Sequence, residues 1–231
     1  MGRMDTYGNL RLAGLRDKLQ RQLLKDDWKA VLKGSRQLYK AASKKRHNYF
    51  AAYGLFMEGY ILQLQGNNKS AAEKHHQSLA LAPESELKMP NFGHLALGYS
   101  KLNRLDLAFF YVDLAIEIAE QMTAKGPRFE WYNFKANLYF KAGEFNKAKR
   151  FAQLSIDCIP DFEERPELPL LVFYQPYLTL LEIAVTQKNN KRAAKLLAVL
   201  ETKFELLPKP LLHIHADKRK YRRLKKEFSC G

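Results

Sequence analysis

The sequence is short of cysteine, of long apolar runs and of acidic side chains, and each shortage argues against a class of protein. The two cysteines, Cys158 and Cys230, lack metal-ligand spacing and are too few for a disulfide framework. No run of about 18 apolar residues is present, which argues against a membrane-spanning helix. The N-terminal segment also lacks the apolar stretch of a secretory signal, so we expect a cytoplasmic protein.

Recognisable catalytic motifs are missing as well. The sequence has no phosphate-binding glycine loop, no Gly-x-Ser-x-Gly and no Cys-His pair in a fitting context. His75 and His76 would point about 100° apart on a helix. His213 and His215 have no carboxylate or cysteine cluster beside them. We therefore predict that the protein is not an enzyme and has neither a metal site nor a cofactor.

The shortage of acidic residues is confined to the two ends of the chain. The formal net charge is +15, with 39 Lys and Arg against 24 Asp and Glu. Residues 1–47 hold 13 basic and 4 acidic side chains, residues 201–231 hold 9 and 4, and the residues between hold 17 and 16. A partner attracted by charge is therefore expected to meet the ends first.

What the chain does have is a repeated helix-turn-helix pattern. Its three clearest copies span residues 53–83, 92–120 and 132–160. In each copy, apolar residues recur at helical spacing on two segments that a short polar turn separates. Small residues such as Gly59 and Ala71 fall where two helices would cross, because a larger side chain would hold the backbones apart. Pro83 and Pro160 are predicted to end second helices.

This pattern resembles the tetratricopeptide repeat (TPR), which has an aromatic, Leu-Gly and Tyr on its first helix, and two alanines, an aromatic and a closing Pro on its second. The matching residues are Leu55, Gly59, Gly66, Ala71 and Pro83, then Phe92, Leu95, Ala96, Tyr99, Ala108 and Ala115, then Tyr132, Tyr139, Gly143, Ala148 and Pro160. Glu58 and Lys135 depart from the expected leucine, and His75 departs from the expected aromatic. The resemblance implies an all-α fold, a right-handed α-solenoid of TPR-like helical hairpins.

The flanking segments extend this prediction over the whole chain. We expect a basic helical hairpin in 1–46, three TPR-like repeats in 47–160, a Pro-rich acidic loop in 161–169, a degenerate hairpin in 170–207 and a basic capping helix in 208–231. Five alanines are predicted to open the second helices at equivalent positions, namely Ala30, Ala71, Ala108, Ala148 and Ala193.

The resemblance also implies a ligand site, because the first helices of such repeats line a concave groove. The positions that face this groove are Tyr53, Phe56, Tyr60, Leu97, Lys101, Asn133, Asn137 and Lys141. Aromatic residues would supply contact area, and asparagines would bond an extended peptide backbone. The chain is thus predicted to be a protein-interaction scaffold or adaptor that binds a peptide or protein segment. In the other interpretation, Tyr53, Phe56 and Tyr60 only pack against the preceding hairpin or a C-terminal helix.

One TPR subclass can be tested directly. TPR co-chaperones hold the C-terminal carboxylates of chaperones with Lys, Arg and Asn at set groove positions. Those positions fall here on Phe56, Tyr60, His94, Glu130 and Phe134, and none of them matches. We therefore do not expect a chaperone-tail adaptor in this register.

Basic residues form the second candidate surface. Lys29, Lys33, Arg36, Lys40 and Lys44 follow spacings that place them on one helix face, and Arg219, Arg222, Arg223 and Lys226 lie in the C-terminal segment. These cations could bind nucleic acid through its phosphates, which is the alternative function, or an acidic protein, or they could be solvated. Gly2 formally fits a short lipidation pattern, but we do not expect a membrane partner.

Overall fold

The computed structural model describes residues 3–82, 84, 86–124, 126–159, 174–205 and 212–229, and every regular element in these ranges is an α-helix. The helices are α1 (Arg3–Leu23), α2 (Trp28–Lys44), α3 (Asn48–Leu64), α4 (Asn68–Leu81), α5 (Lys88–Lys101), α6 (Leu105–Gln121), α7 (Gly126–Lys141), α8 (Phe145–Ile156), α9 (Gln175–Thr186), α10 (Asn190–Glu205) and α11 (Leu212–Ser229). Among the described residues, no helix is long and apolar enough to cross a membrane.

The chain divides into two compact units, Met1–Ile118 and Ala119–Gly231, and the division falls near the end of α6. In unit 1, helices α1 to α5 pack mainly on their neighbours in sequence, and α1 and α5 also contact α3. The core between α1, α2 and α3 is aliphatic, with Leu12, Leu19, Val31, Leu38 and Ile61 fully buried. Helix α6 joins α5 through the stacked rings of Tyr99 and Tyr111, 5.5 Å apart.

One turn geometry joins α2 to α3 at Arg46 and recurs at the five turns within the helical hairpins α1–α2, α3–α4, α5–α6, α7–α8 and α9–α10. Each of these five turns contains a residue in the left-handed region, with φ from 53° to 80°, and these residues are Asp26, Gly66, Asn103, Gly143 and Lys188. The N–H of the following residue donates to the carbonyl five positions earlier, as in Asn67 to Leu62 at 2.9 Å. This is the Schellman arrangement that ends many helices. Asp27, Asn67 and Asn189 then cap the next helix with a side-chain oxygen.

The turns also define the equivalent position that opens each second helix. In every hairpin, the residue five positions after the left-handed one donates its N–H to the carbonyl four residues before it. These donors are Val31, Ala71, Ala108, Ala148 and Ala193. All five are fully buried. The prediction was therefore wrong at Ala30, which is partly exposed, because Val31 holds this position. Gly34 makes room for the crossing there, since a Cβ on it would lie 2.6 Å from Leu19 Cδ2.

A buried serine braces one hairpin in each unit in the same way. Ser78 Oγ donates to the carbonyl of Ala52 at 2.9 Å, and Ser155 Oγ donates to the carbonyl of Phe129 at 2.8 Å. Both bonds span 26 residues from the first to the second helix of a hairpin. The matching geometry shows that the hairpins α3–α4 and α7–α8 are copies of the same structural repeat.

In unit 2, α9 contacts α7, α8, α10 and α11. The core of this unit includes Tyr174, Leu181 and Leu200, together with Tyr221 and Leu224 of α11. Tyr174 also donates its hydroxyl to Asp217 at 2.7 Å. Helix α11 is thus packed on α9 and α10 by an apolar stripe, and its capping role stays a prediction.

Some predictions fall on residues outside the described ranges. These are the closing prolines Pro83 and Pro160, the loop 161–169, Gly2 and Cys230. The domain boundaries likewise stay a prediction.

Candidate functional site

The predicted aromatic residues lie together on α3 in unit 1. Phe56 and Tyr60 both meet the ring of His94 on α5 edge-on, with centroids 5.5 and 5.3 Å away. Tyr53 lies one turn before Phe56, with its ring centroid 6.4 Å from that of Phe56. Leu97 and Lys101 follow His94 at helical spacing and share its side of α5. We call this surface, made of Tyr53, Phe56, Tyr60, His94, Leu97 and Lys101, the aromatic face.

The aromatic face is held in place by hydrogen bonds between α3 and α5. Gln63 Nε2 donates to the carbonyl of His94 at 2.8 Å, and Gln63 Oε1 lies 2.7 Å from His94 Nδ1. These two bonds fix the imidazole against which Phe56 and Tyr60 pack. The face is therefore preorganised by side chains that are 31 residues apart in the sequence.

A buried polar network continues beneath the face. The ring of His75 stacks on that of His94, with centroids 5.2 Å apart and planes 8° from parallel. His75 Nδ1 lies 2.9 Å from Asn91 Oδ1, and Asn91 Nδ2 donates to Ser78 Oγ at 3.0 Å. His75 is completely buried, and its Nε2 has no hydrogen-bond partner. Gly59 permits this approach, because a Cβ there would lie 2.9 Å from the imidazole.

Burial keeps both imidazoles neutral. Desolvation, followed by repulsion from His94, lowers the pKa of His75 to about 3, although the bond to Asn91 opposes the shift. Desolvation lowers the pKa of His94 to about 4. Burial also raises the pKa values of the phenols of Tyr53 and Tyr60. The aromatic face is thus uncharged at neutral pH except at Lys101.

Both interpretations of the aromatics find support in their contacts. Tyr53, Phe56 and Tyr60 are each partly buried and pack against the core of α1, α2 and α3. The exposed remainder of each ring is available to a ligand. Their ligand-binding role stays a prediction, as do those of Leu97, which is partly exposed, and Lys101, which is exposed at the end of α5.

The predicted asparagines lie in unit 2, where they bond to α9. Asn133 Nδ2 donates to Gln175 Oε1 at 3.3 Å, and Thr179 Oγ1 donates to Asn137 Oδ1 at 3.3 Å. Asn137 Nδ2 donates to the carbonyl of Asn133 at 2.9 Å. Asn133 is only 8% exposed, its Nδ2 bonds to α9 and its buried Oδ1 has no hydrogen-bond partner, and its ligand-binding role stays a prediction. Asn137 is partly exposed, and Lys141 is exposed at the end of α7.

The predicted basic residues of α2 are all exposed, but one of them is paired. Arg36 Nε lies 2.8 Å from Oε1 of Glu58, a carboxylate that is 5% exposed on α3. Lys74 Nζ of α4 lies 3.5 Å from the other oxygen of Glu58. Glu58, which stands where the TPR pattern has leucine, is therefore a buried acid between two cations. Lys29, Lys33, Lys40 and Lys44 project from the same side of α2 as Arg36.

The predicted basic residues of α11 are exposed too. Arg223 contacts Glu182 and Glu227 at 3.7 and 3.5 Å, and Lys220 also pairs with Glu182. Arg219, Arg222 and Lys226 are exposed on the same helix. In the described part of the chain, no group of three or more His, Cys, Asp or Glu side chains could hold a metal ion.

Sequence reasoning missed four side chains that organise these surfaces, namely Gln63, His94, Gln175 and Thr179. The sequence marks His94 only as one of the positions at which TPR co-chaperones hold a carboxylate. The turn register does not place Thr179 beside Asn137, because Thr179 lies fourteen residues before Ala193 and Asn137 lies eleven before Ala148. No local signal pointed to the pairing of Gln63 with His94.

Comparisons with known proteins agree on the fold. No protein-family model and no curated protein sequence matches the chain. Among solved structures, BtubC (BKLC) from P. vanneervenii is 14% identical with a TM-score of 0.76, over 90% of this chain and 89% of that one.

Two further solved structures match over most of their length. TPR-like repeats of a kinesin light chain from Podosopora anserina are 15% identical with a TM-score of 0.64, over 84% of this chain and 94% of that one. MamA from Desulfovibrio magneticus RS-1 is 17% identical with a TM-score of 0.59, over 84% and 94%. Together with the recurring turns and serine braces, these similarities confirm the predicted fold class: the protein has an all-α fold of TPR-like helical hairpins.

Proposed function

We propose that the protein is a non-catalytic scaffold that binds a peptide or protein segment on the aromatic face of unit 1. The observation that supports this most strongly is the fixed contact of Phe56 and Tyr60 with His94, which Gln63 holds by two hydrogen bonds. Rigid, partly exposed aromatic side chains bind at low entropic cost, because little rotamer freedom is lost.

The dimensions of the face suit a short segment. Tyr53 and Tyr60 are seven residues apart on α3, which corresponds to about 10 Å along the helix axis. An extended peptide covers that distance with about three residues. We expect apolar side chains of the ligand to contact Tyr53, Phe56 and Tyr60. Lys101, at the end of α5, would then attract an acidic group at one end of the segment.

Unit 2 offers a smaller polar surface for the same purpose. Asn137 uses one amide hydrogen and one carbonyl lone pair within the protein, so one of each is left to bond a ligand backbone. Lys141 lies one turn further on the same side of α7. Binding here is proposed as secondary to the aromatic face, because Asn133 is buried and its amide nitrogen already bonds to Gln175 of α9.

The proposal can be tested with peptides selected from a displayed random library on the full-length protein. Affinity of the selected peptides is then measured by fluorescence anisotropy for wild type and for Tyr60→Ala and Asn137→Ala. We expect Tyr60→Ala to weaken the binding of peptides to unit 1 by tenfold or more, and Asn137→Ala to weaken the binding of peptides to unit 2 by less. Far-UV circular dichroism should show unchanged helicity in both variants.

Phe110→Ala is the matched control, because Phe110 is a 55% exposed aromatic on α6, a second helix. It should bind the selected peptides as tightly as wild type. Undiminished binding by Tyr60→Ala, or an equal loss in Phe110→Ala, would contradict binding at the aromatic face.

A further inference from the structure

The outer side of α2 in unit 1 bears two parallel rows of side chains. The basic row is Lys29, Lys33, Arg36, Lys40 and Lys44, all exposed, and the apolar row beside it is Trp28, Leu32 and Tyr39. Trp28 and Tyr39 are each 36% exposed, and Leu32 is partly buried. We call these two rows together the α2 surface.

The basic row carries unbalanced charge. No Asp or Glu occurs between Asp27 and Lys44. Arg36 is paired with Glu58, but Lys29, Lys33, Lys40 and Lys44 have no carboxylate partner among the residues that the structure describes. The side chains enclose a shallow cleft of about 390 Å³, lined by Lys29, Leu32, Lys33, Arg36, Gln37 and Lys40. Anionic groups could enter this cleft and meet both charge and apolar surface.

The spacing of the cations points to the shape of a partner. Lys29 to Lys44 covers about 22 Å of helix axis, with one cation in each turn of about 5.4 Å. A second helix with acidic residues three and four positions apart presents one carboxylate per turn at the same interval. If that helix also has apolar residues beside its acids, they would lie against the row of Trp28, Leu32 and Tyr39.

From these features we infer that the α2 surface docks an acidic amphipathic helix of a protein partner. This goes beyond the proposed function, because α2 is the second helix of its hairpin and the aromatic face lies on first helices. Nucleic acid fits the apolar row less well. Base stacking needs an open ring face, and Trp28 and Tyr39 are each about two thirds covered.

The test uses a synthetic helical peptide of 18 residues with Glu at positions i, i+4, i+7 and i+11 and leucines in the adjacent row. A scrambled peptide of the same composition and a single-stranded oligodeoxynucleotide of the same charge are compared with it. Binding to the full chain is measured by fluorescence anisotropy at low and moderate salt. The variant Lys33→Glu/Lys40→Glu removes two cations from the α2 surface, and Lys191→Glu/Lys195→Glu reverses the same number of charges on exposed residues of one face of α10.

We expect the helical peptide to bind at least tenfold more tightly than the scrambled one. The α2 variant should lose tenfold or more in affinity, while the α10 variant should be nearly unaffected. In a Trp131→Phe background, Trp28 is the remaining tryptophan, and its emission should move to shorter wavelength as the peptide covers the ring.

Three results would overturn the inference. Equal binding of the scrambled peptide would show that helical order is not recognised. Equal losses in the two charge-reversed variants would show general electrostatic attraction. Tighter binding of the oligonucleotide, lost in Lys33→Glu/Lys40→Glu, would assign the surface to nucleic acid instead.

Discussion

Acidification should destabilise unit 1 through His75 and His94. Burial lowers their pKa values to about 3 and about 4 in the folded protein, whereas an exposed histidine in the unfolded chain titrates near 6.5. Between these values the unfolded chain binds more protons than the folded one, so stability falls as the pH falls. The stabilisation is fully present above about pH 6.5 and is lost as the pH drops towards 4 and then 3.

The magnitude follows from proton linkage. Each histidine contributes a slope of about 1.4 kcal/mol per pH unit within its window. Between pH 7.5 and 4.5 the loss is about 2.5 kcal/mol for each histidine, or about 5 kcal/mol for the pair. Since a domain typically has an unfolding free energy of about 5–15 kcal/mol, this is a large share of it.

Urea unfolding at pH 7.5, 6.5, 5.5 and 4.5 measures the effect, and a Trp131→Phe background leaves Trp28 as the reporter of unit 1. His75→Phe separates the histidine effect from titrating carboxylates, which are the same in both proteins. At pH 7.5 this variant should lose about 1–3 kcal/mol, because Asn91 Oδ1 loses its buried partner.

The decisive quantity is the pH slope and not the stability at one pH. His75→Phe should have a slope about 1.4 kcal/mol per pH unit smaller than that of wild type between pH 6 and 4.5. Equal slopes in the two proteins, or imidazole NMR titrations of His75 and His94 with midpoints near 6.5, would refute the reasoning.

Two further predictions concern helix packing, and both are checked by urea unfolding of paired variants. Gly59→Ala should lower the free energy of unfolding by about 1–3 kcal/mol, because its Cβ would lie 2.9 Å from a buried imidazole. Gly14→Ala, whose Cβ would have no atom within 4 Å, should stabilise α1 by up to about 1 kcal/mol. Equal effects of the two substitutions would contradict the close crossing at Gly59. Ser78→Ala should lower the free energy of unfolding by about 2–3 kcal/mol, because it breaks hydrogen bonds to Ala52 and Asn91. Ser155→Ala breaks one hydrogen bond and should lower it by about 1 kcal/mol. A larger loss for Ser155→Ala would argue against the buried network.

The fold could be predicted because its signals are local. Gly66 and Gly143 mark two turns by allowing positive φ, and Asp27, Asn67 and Asn189 are residue types that cap helices. The prediction was wrong at Ala30 because the repeat pattern favours an alanine at the position that opens a second helix. Helix α2 instead uses Val31 at this position, with the space made at Gly34 on the same helix.

The candidate site was less predictable, because its contacts join distant parts of the chain. The spacing of Tyr53, Phe56 and Tyr60 places them on one side of α3, but their partner His94 lies on another helix. Asn133 is predicted from its position to face the groove, but the position gives no sign of its hydrogen bond to Gln175 of α9, 42 residues away. Helical periodicity says which residues share a face and does not say what packs on that face.

By itself, the sequence determined the helical hairpins, their TPR-like pattern and the concentration of basic charge at the chain ends, since these depend on periodicity, turn residues and composition. Only the tertiary structure decided which of those side chains are exposed and unpaired, and so available to a ligand. It stacked His75 on His94, fixed His94 through Gln63 and paired Arg36 with the buried Glu58. The physical reason is that burial and pairing depend on neighbours brought together by folding, and these set both the charge state and the exposure of a side chain.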